Sequence, residues 1–162
     1  MTSPWLGSKT PVGPPASASP SMRELMYAAG VTGGWSSLLC LVVYGIGRLT
    51  GVPFALVGMP ERGPLEVPWI VVLVLPLAFA FGGALLASLV RGRHHAGRLV
   101  FWAGTVIALG SVVWPLRQPE SVDWPTRILL VVMHLITWAL VVPQIARIIG
   151  DSEPDQFVER DE

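Results

Sequence analysis

Charge is missing from four long stretches of this chain, residues 25–47, 67–90, 99–116 and 128–146. Charged residues make up 14% of the whole, against roughly 25% in a typical soluble domain. Each run reaches the roughly 18 to 25 residues that a helix needs to cross about 30 Å of hydrocarbon. Little length remains for a water-soluble catalytic domain. Cysteine occurs once, at Cys40, which excludes an intramolecular disulfide, and its place inside the first run reads as a small packed apolar residue. A soft-metal site needs several converging thiolates or imidazoles. Of three histidines only His134 lies within a run, so a haem held by an axial histidine on each of two helices lacks its second ligand. No carboxylate pair, nucleophile–base arrangement or Gly-rich phosphate loop lies in or beside the runs, and hydrolysis and phosphoryl transfer lack their usual groups. No enzyme, cofactor, metal or nucleic-acid partner is therefore expected.

What is present predicts an all-α membrane protein, four antiparallel transmembrane helices in an up-down bundle. The expected organisation is a disordered Pro/Ser-rich segment over 1–23, a transmembrane domain over 24–149 with spans at about 25–47, 67–90, 99–116 and 128–148, and an acidic tail over 150–162. Five prolines and five serines in the first 21 residues cannot bury enough apolar area to offset the entropy of ordering. That segment is also no signal-peptide n-region, so the first span is expected to be retained. Six of the eleven acidic residues fall in the last twelve positions, a solvated tail with a secondary reading as a docking segment for a basic partner.

Orientation follows the excess of Lys and Arg in cytoplasmic connections. Lys9, Arg23, Arg91, Arg93, Arg98, Arg147 and Arg160 share one side and Arg48, Arg62, Arg117 and Arg127 the other, which places both termini inside. The turn Arg91-Gly92-Arg93-His94-His95-Ala96-Gly97-Arg98 is the most compact signal. Its adjacent histidines lack the spacing that puts two ligands on one helical face, and it reads as a topology determinant with affinity for anionic lipid. Trp69, Trp114 and Trp124 form an interfacial belt at the opposite face. The apolar run Gly51-Val52-Pro53-Phe54-Ala55-Leu56-Val57-Gly58 is too short to span and is expected to lie along the membrane surface.

Membrane helices associate through close contact of small side chains. The patterns Gly30-xxx-Gly34, Ala29-xxx-Gly33-xxx-Ser37, Ala78-xxx-Gly82, Gly83-xxx-Ala87 and Gly104-xxx-Ala108 supply such faces, for contacts within the bundle first and a homo-oligomer or membrane protein partner second. Pro76 and Pro143 are expected to bend their helices. His134 is the most unusual residue within a span, and an intramembrane ionisable group is a functional candidate by default. Depth counting sets Cys40 and Ser111 near its level and Tyr44 one turn outward. A neutral imidazole there is expected to hydrogen-bond between helices one, three and four, so His134, Tyr44, Ser111 and Cys40 form the candidate polar layer. A packing role competes with this reading.

The run Leu41-Val42-Val43-Tyr44-Gly45-Ile46-Gly47-Arg48, followed by Gly51-Val52-Pro53-Phe54, resembles the first helix of an uncharacterised four-helix membrane family common in actinobacteria, domain of unknown function 6069. Met133-His134-Leu135 with Val141-Val142-Pro143 is similar to that family's last helix. The likeness covers about residues 25 to 149 and includes the basic turn and Pro115. It implies architecture and no activity. The functional expectation is a non-enzymatic structural or accessory component of a bacterial inner membrane, both termini cytoplasmic, with the lipid bilayer as its surroundings. The alternative is a small-solute carrier with a polar layer around His134.

Overall fold

The computed structural model describes residues 20–58 and 63–151. The leader up to residue 19 and the tail from 152 lie outside the described residues, as do Lys9, Arg62 and Arg160. The described chain is helical, in the order α1 (Met22–Leu49), α2 (Trp69–Ser88), α3 (Ala96–Leu116) and α4 (Trp124–Gly150), with two short strands β1 (Ala55–Leu56) and β2 (Leu65–Glu66) between α1 and α2. All four helices are long and apolar enough to cross a membrane.

Local chemistry explains where the helices begin and end. α1 starts three residues before the first charge-free run because Ser21 and Glu24 form a capping box, each side chain bonding the other's backbone N–H at 3.2 and 2.8 Å. This reciprocal bonding satisfies two otherwise orphan donors of the first turn. α4 starts after Asp123 with Pro125 in its first turn, and the Asp123 side chain makes no capping bond. Trp69, Trp114 and Trp124 are all exposed.

Small residues set the packing. A Cβ placed on Gly33 would lie 2.8 Å from Ala80 Cβ and 3.3 Å from Leu77 Cα, and one on Gly104 would lie 2.8 Å from a Val142 methyl. Gly97 is tighter still, since its Cβ would meet Gly150 Cα at 2.8 Å and Ala146 O at 2.9 Å. α1 packs against α2 and α4, while α3 packs chiefly against α4. α2 and α3 are not a packed pair, which leaves a cleft between them. Two apolar clusters fill the interior: Leu25, Ala84, Ala96, Ile145 and Ile149 belong to the one beside the α2–α3 turn, and Phe54, Leu56, Val72, Leu130 and Met133 to the one beside the strands. Bulky apolar side chains such as Leu75, Leu86, Trp102 and Val106 face outward, as expected where lipid replaces water.

The segment after α1 departs from the surface-lying expectation. Phe54 and Leu56 turn into the protein, and Phe54 is fully buried with its ring 4.7 Å from that of Tyr44. β1 pairs antiparallel with β2, Ala55 opposite Glu66 and Leu56 opposite Leu65. Phe54 adopts φ 49°, a left-handed conformation costing about 1–3 kcal/mol for such a residue. Burying the ring returns about as much, roughly 1.5–3 kcal/mol. Gly47 makes room for it, since a Cβ there would lie 2.6 Å from the Phe54 ring. Arg48 holds the segment from outside, donating to Pro53 O at 3.0 Å and pairing with Glu66 at 3.3 Å.

Candidate functional site

A cleft between α2 and α3 has a volume of about 740 Å³. α2 contributes Leu75, Pro76 and Phe79, α3 contributes Ala108, Ser111 and Trp114, and α4 forms the floor with Met133, His134 and Thr137. Leu75, Ala78 and Trp114 line it while exposed, so it opens sideways. Its long axis starts at the strands, where Leu65 and Glu66 contribute, and ends at Phe79 and Trp138.

Three of the four residues expected in a polar layer line this cleft, namely Cys40, Ser111 and His134. Tyr44 does not. Its hydroxyl donates to Val67 O at 2.9 Å and its ring packs on Phe54, so it braces the start of the segment leading into α2. The expected imidazole bond between helices also differs. His134 Nδ1 lies 2.7 Å from Leu130 O, one turn back on its own helix. A carbonyl only accepts, so Nδ1 is the donor in this bond. Ser111 likewise donates to its own helix, to Ala108 O at 2.6 Å. Among the described residues no side chain of the four hydrogen-bonds another of the four.

Cys40 apart, the bonds that do cross between helices come from residues outside the expected set. Ser36 Oγ donates to Thr137 Oγ1 at 2.9 Å, and Thr137 donates in turn to Met133 O at 3.0 Å. Cys40 Sγ lies 3.6 Å from Met133 O and 3.8 Å from Thr137 Oγ1. Ser37 Oγ donates to Leu73 O at 2.7 Å, joining α1 to α2, and Trp138 Nε1 donates to Thr105 Oγ1 at 3.0 Å, joining α4 to α3. Each such bond contributes about 0.6 to 2 kcal/mol within a bilayer. The available signal was a hydroxyl residue in three spans at similar depth, with Thr137 one turn from His134.

The charged groups around the cleft are few. Glu66 stands at its mouth with its carboxylate held by Arg48 at 3.3 Å. Among the described residues no group of three His, Cys, Asp or Glu side chains converges as a metal site. Among the described residues no carboxylate is bonded to the His134 ring to exchange a proton with it.

A model described as a family of unknown function (DUF6069) matches residues 20–150 of the chain. No curated protein and no solved structure matches it.

Proposed function

The chain belongs to that family, and from this premise we propose that it is a four-span protein of a bacterial inner membrane, antiparallel in an up-down bundle with both ends cytoplasmic. Its role in this reading is that of a non-enzymatic structural or accessory component. One observation carries it: the side chains of Ser36, Ser37, Ser111, His134, Thr137 and Trp138 bond to neighbouring helices or to their own backbone. They brace the bundle rather than converge on a reacting atom.

The contacts support the layout. Gly33 meets Leu77 and Ala80 while Ser37 meets Leu73, a register that supports opposite senses for α1 and α2. Gly97 at the start of α3 meets Gly150 at the end of α4. Arg91 reaches Pro20 O at 3.5 Å, which gathers Arg23, Arg91, Arg93, Arg98 and Arg147 at one end. Fusions of alkaline phosphatase and a fluorescent protein to either terminus are expected to give fluorescence without phosphatase activity. Phosphatase activity from either end overturns the orientation.

The cleft beside His134 favours one second reading, a carrier for a small solute. A carrier's polar layer must meet water during its cycle, and Cys40, the sole cysteine, lines the cleft and reports on this directly. In intact membranes a membrane-impermeant maleimide is expected to leave Cys40 unlabelled, with labelling only after denaturation. Labelling of the native protein would favour the carrier.

A further inference from the structure

We propose that the α2–α3 cleft is a binding site for a single membrane phospholipid with an anionic headgroup, one acyl chain lying in the cleft and the phosphate against Arg117. The inference rests on the membrane-spanning reading above.

Three observations converge on this occupant. The first is length. The cleft begins at the strands and follows α2 from its first turn to Phe79; from Trp69 to Phe79 the helical rise gives roughly 15 Å. That is half of a hydrocarbon core about 30 Å thick, so the cleft accepts a chain from one leaflet and stops at the midplane. The second is chemistry. The walls are mostly aliphatic and aromatic, with Ser111, His134 and Thr137 as the polar exceptions within the spans, the opening is lateral, and the volume of about 740 Å³ lies within the roughly 300–1,000 Å³ of ligand pockets. A hydrated solute would leave most of its polar groups unpaired on such walls, whereas an acyl chain leaves none.

The third is charge. A second depression of about 600 Å³, lined by Arg117, Gln118 and Ser121, adjoins the cleft and shares Gly58 and Trp114 with it. The other described cations nearby are engaged, Arg48 by Glu66 and Arg127 by backbone carbonyls. Arg117 is exposed and forms no ion pair among the described residues, so its charge is left for a phosphate. Gln118 is committed elsewhere, its Oε1 accepting from Val57 N at 3.0 Å. Glu66 at the cleft's mouth repels an anion less because Arg48 neutralises it.

The test is native mass spectrometry of the full chain released from nanodiscs of equal phosphatidylglycerol and phosphatidylcholine. The parent is expected to retain one lipid, with about a fivefold preference for phosphatidylglycerol. Ser111→Phe and Ala78→Phe fill the cleft from opposite walls, and each is expected to lower lipid retention roughly tenfold. Ala103→Phe, on an exposed part of α3 away from the cleft, is expected to retain lipid as the parent does. Arg117→Gln is expected to keep a lipid and lose the preference. Parent-like retention by both filled variants, equal loss in Ala103→Phe, or an unchanged preference in Arg117→Gln each overturns the site. A parent recovered in the membrane fraction that retains no lipid would count against the site alone; loss of the parent itself from membranes would count against the spanning reading.

Discussion

Arg127→Met is expected to destabilise the protein by about 3 kcal/mol, since charge-assisted bonds contribute about 1.5–3 kcal/mol and each buried carbonyl left unpaired costs about 1–3 kcal/mol. Arg127 is only 7% exposed. Its Nη2 donates to Pro119 O at 2.8 Å and to Val122 O at 3.0 Å, Nε donates to Val122 O at 3.2 Å, and Nη1 reaches Leu116 O at 3.4 Å. Leu116 ends α3, where a cation also meets the negative end of the helix dipole. The guanidinium further sits 4.9 Å from the Trp124 ring. One side chain therefore closes the α3–α4 connection from inside. Methionine keeps much of the apolar stem and removes every donor, which separates hydrogen bonding from packing. Lysine should fall between the two, because a single ammonium cannot span carbonyls that a planar fork reaches together. Unfolding in SDS followed by tryptophan fluorescence measures this, and a methionine variant within about 0.5 kcal/mol of the parent would sink the assignment.

Gly97→Ala is expected to cost about 2 kcal/mol despite alanine's better helix propensity. The added methyl would meet backbone atoms, Gly150 Cα at 2.8 Å and Ala146 O at 2.9 Å, and backbone cannot swing aside as a flexible side chain can. α3 and α4 must then separate where they cross. Gly110 sits on the same helix with nothing within 4 Å of the corresponding position, so Gly110→Ala is expected to be neutral or stabilising by up to about 1 kcal/mol. Opposite signs at two glycines of one helix identify steric contact as the cause. Equal effects would refute it.

Four helices were legible from the charge-free runs because hydrocarbon-length apolar sequence has few other uses. The small-residue patterns were legible in part. Gly33 and Gly104 do lie at helix crossings, yet Gly34 and Gly82, drawn from overlapping patterns, have nothing within 4 Å. Spacing of four marks a stripe along a helix but does not say which of two adjacent stripes meets a neighbour. Gly97 was hidden inside a charged turn, where its arginine neighbours dominated the reading. Arg127 counted as one more outer-side charge, since burial of a guanidinium depends on where a loop's carbonyls point. Depth counting set Cys40, Ser111 and His134 near one level but could not give the rotation of each helix, so the imidazole's bond to Leu130 O was beyond it. The strands were illegible because two residues each carry no alternation to detect.

The dependence of α3 on α4 has a bearing on how the protein is made. If the segments enter lipid in chain order, α1 and α2 emerge with their mutual surface complete, and Gly33 can close on Ala80 before anything else is synthesised. α3 emerges next with no dedicated partner, for its tight crossings at Gly97 and Gly104 are both with residues of α4. Until the ribosome delivers that last segment, the third is a lone apolar rod, and biogenesis has its most vulnerable moment there.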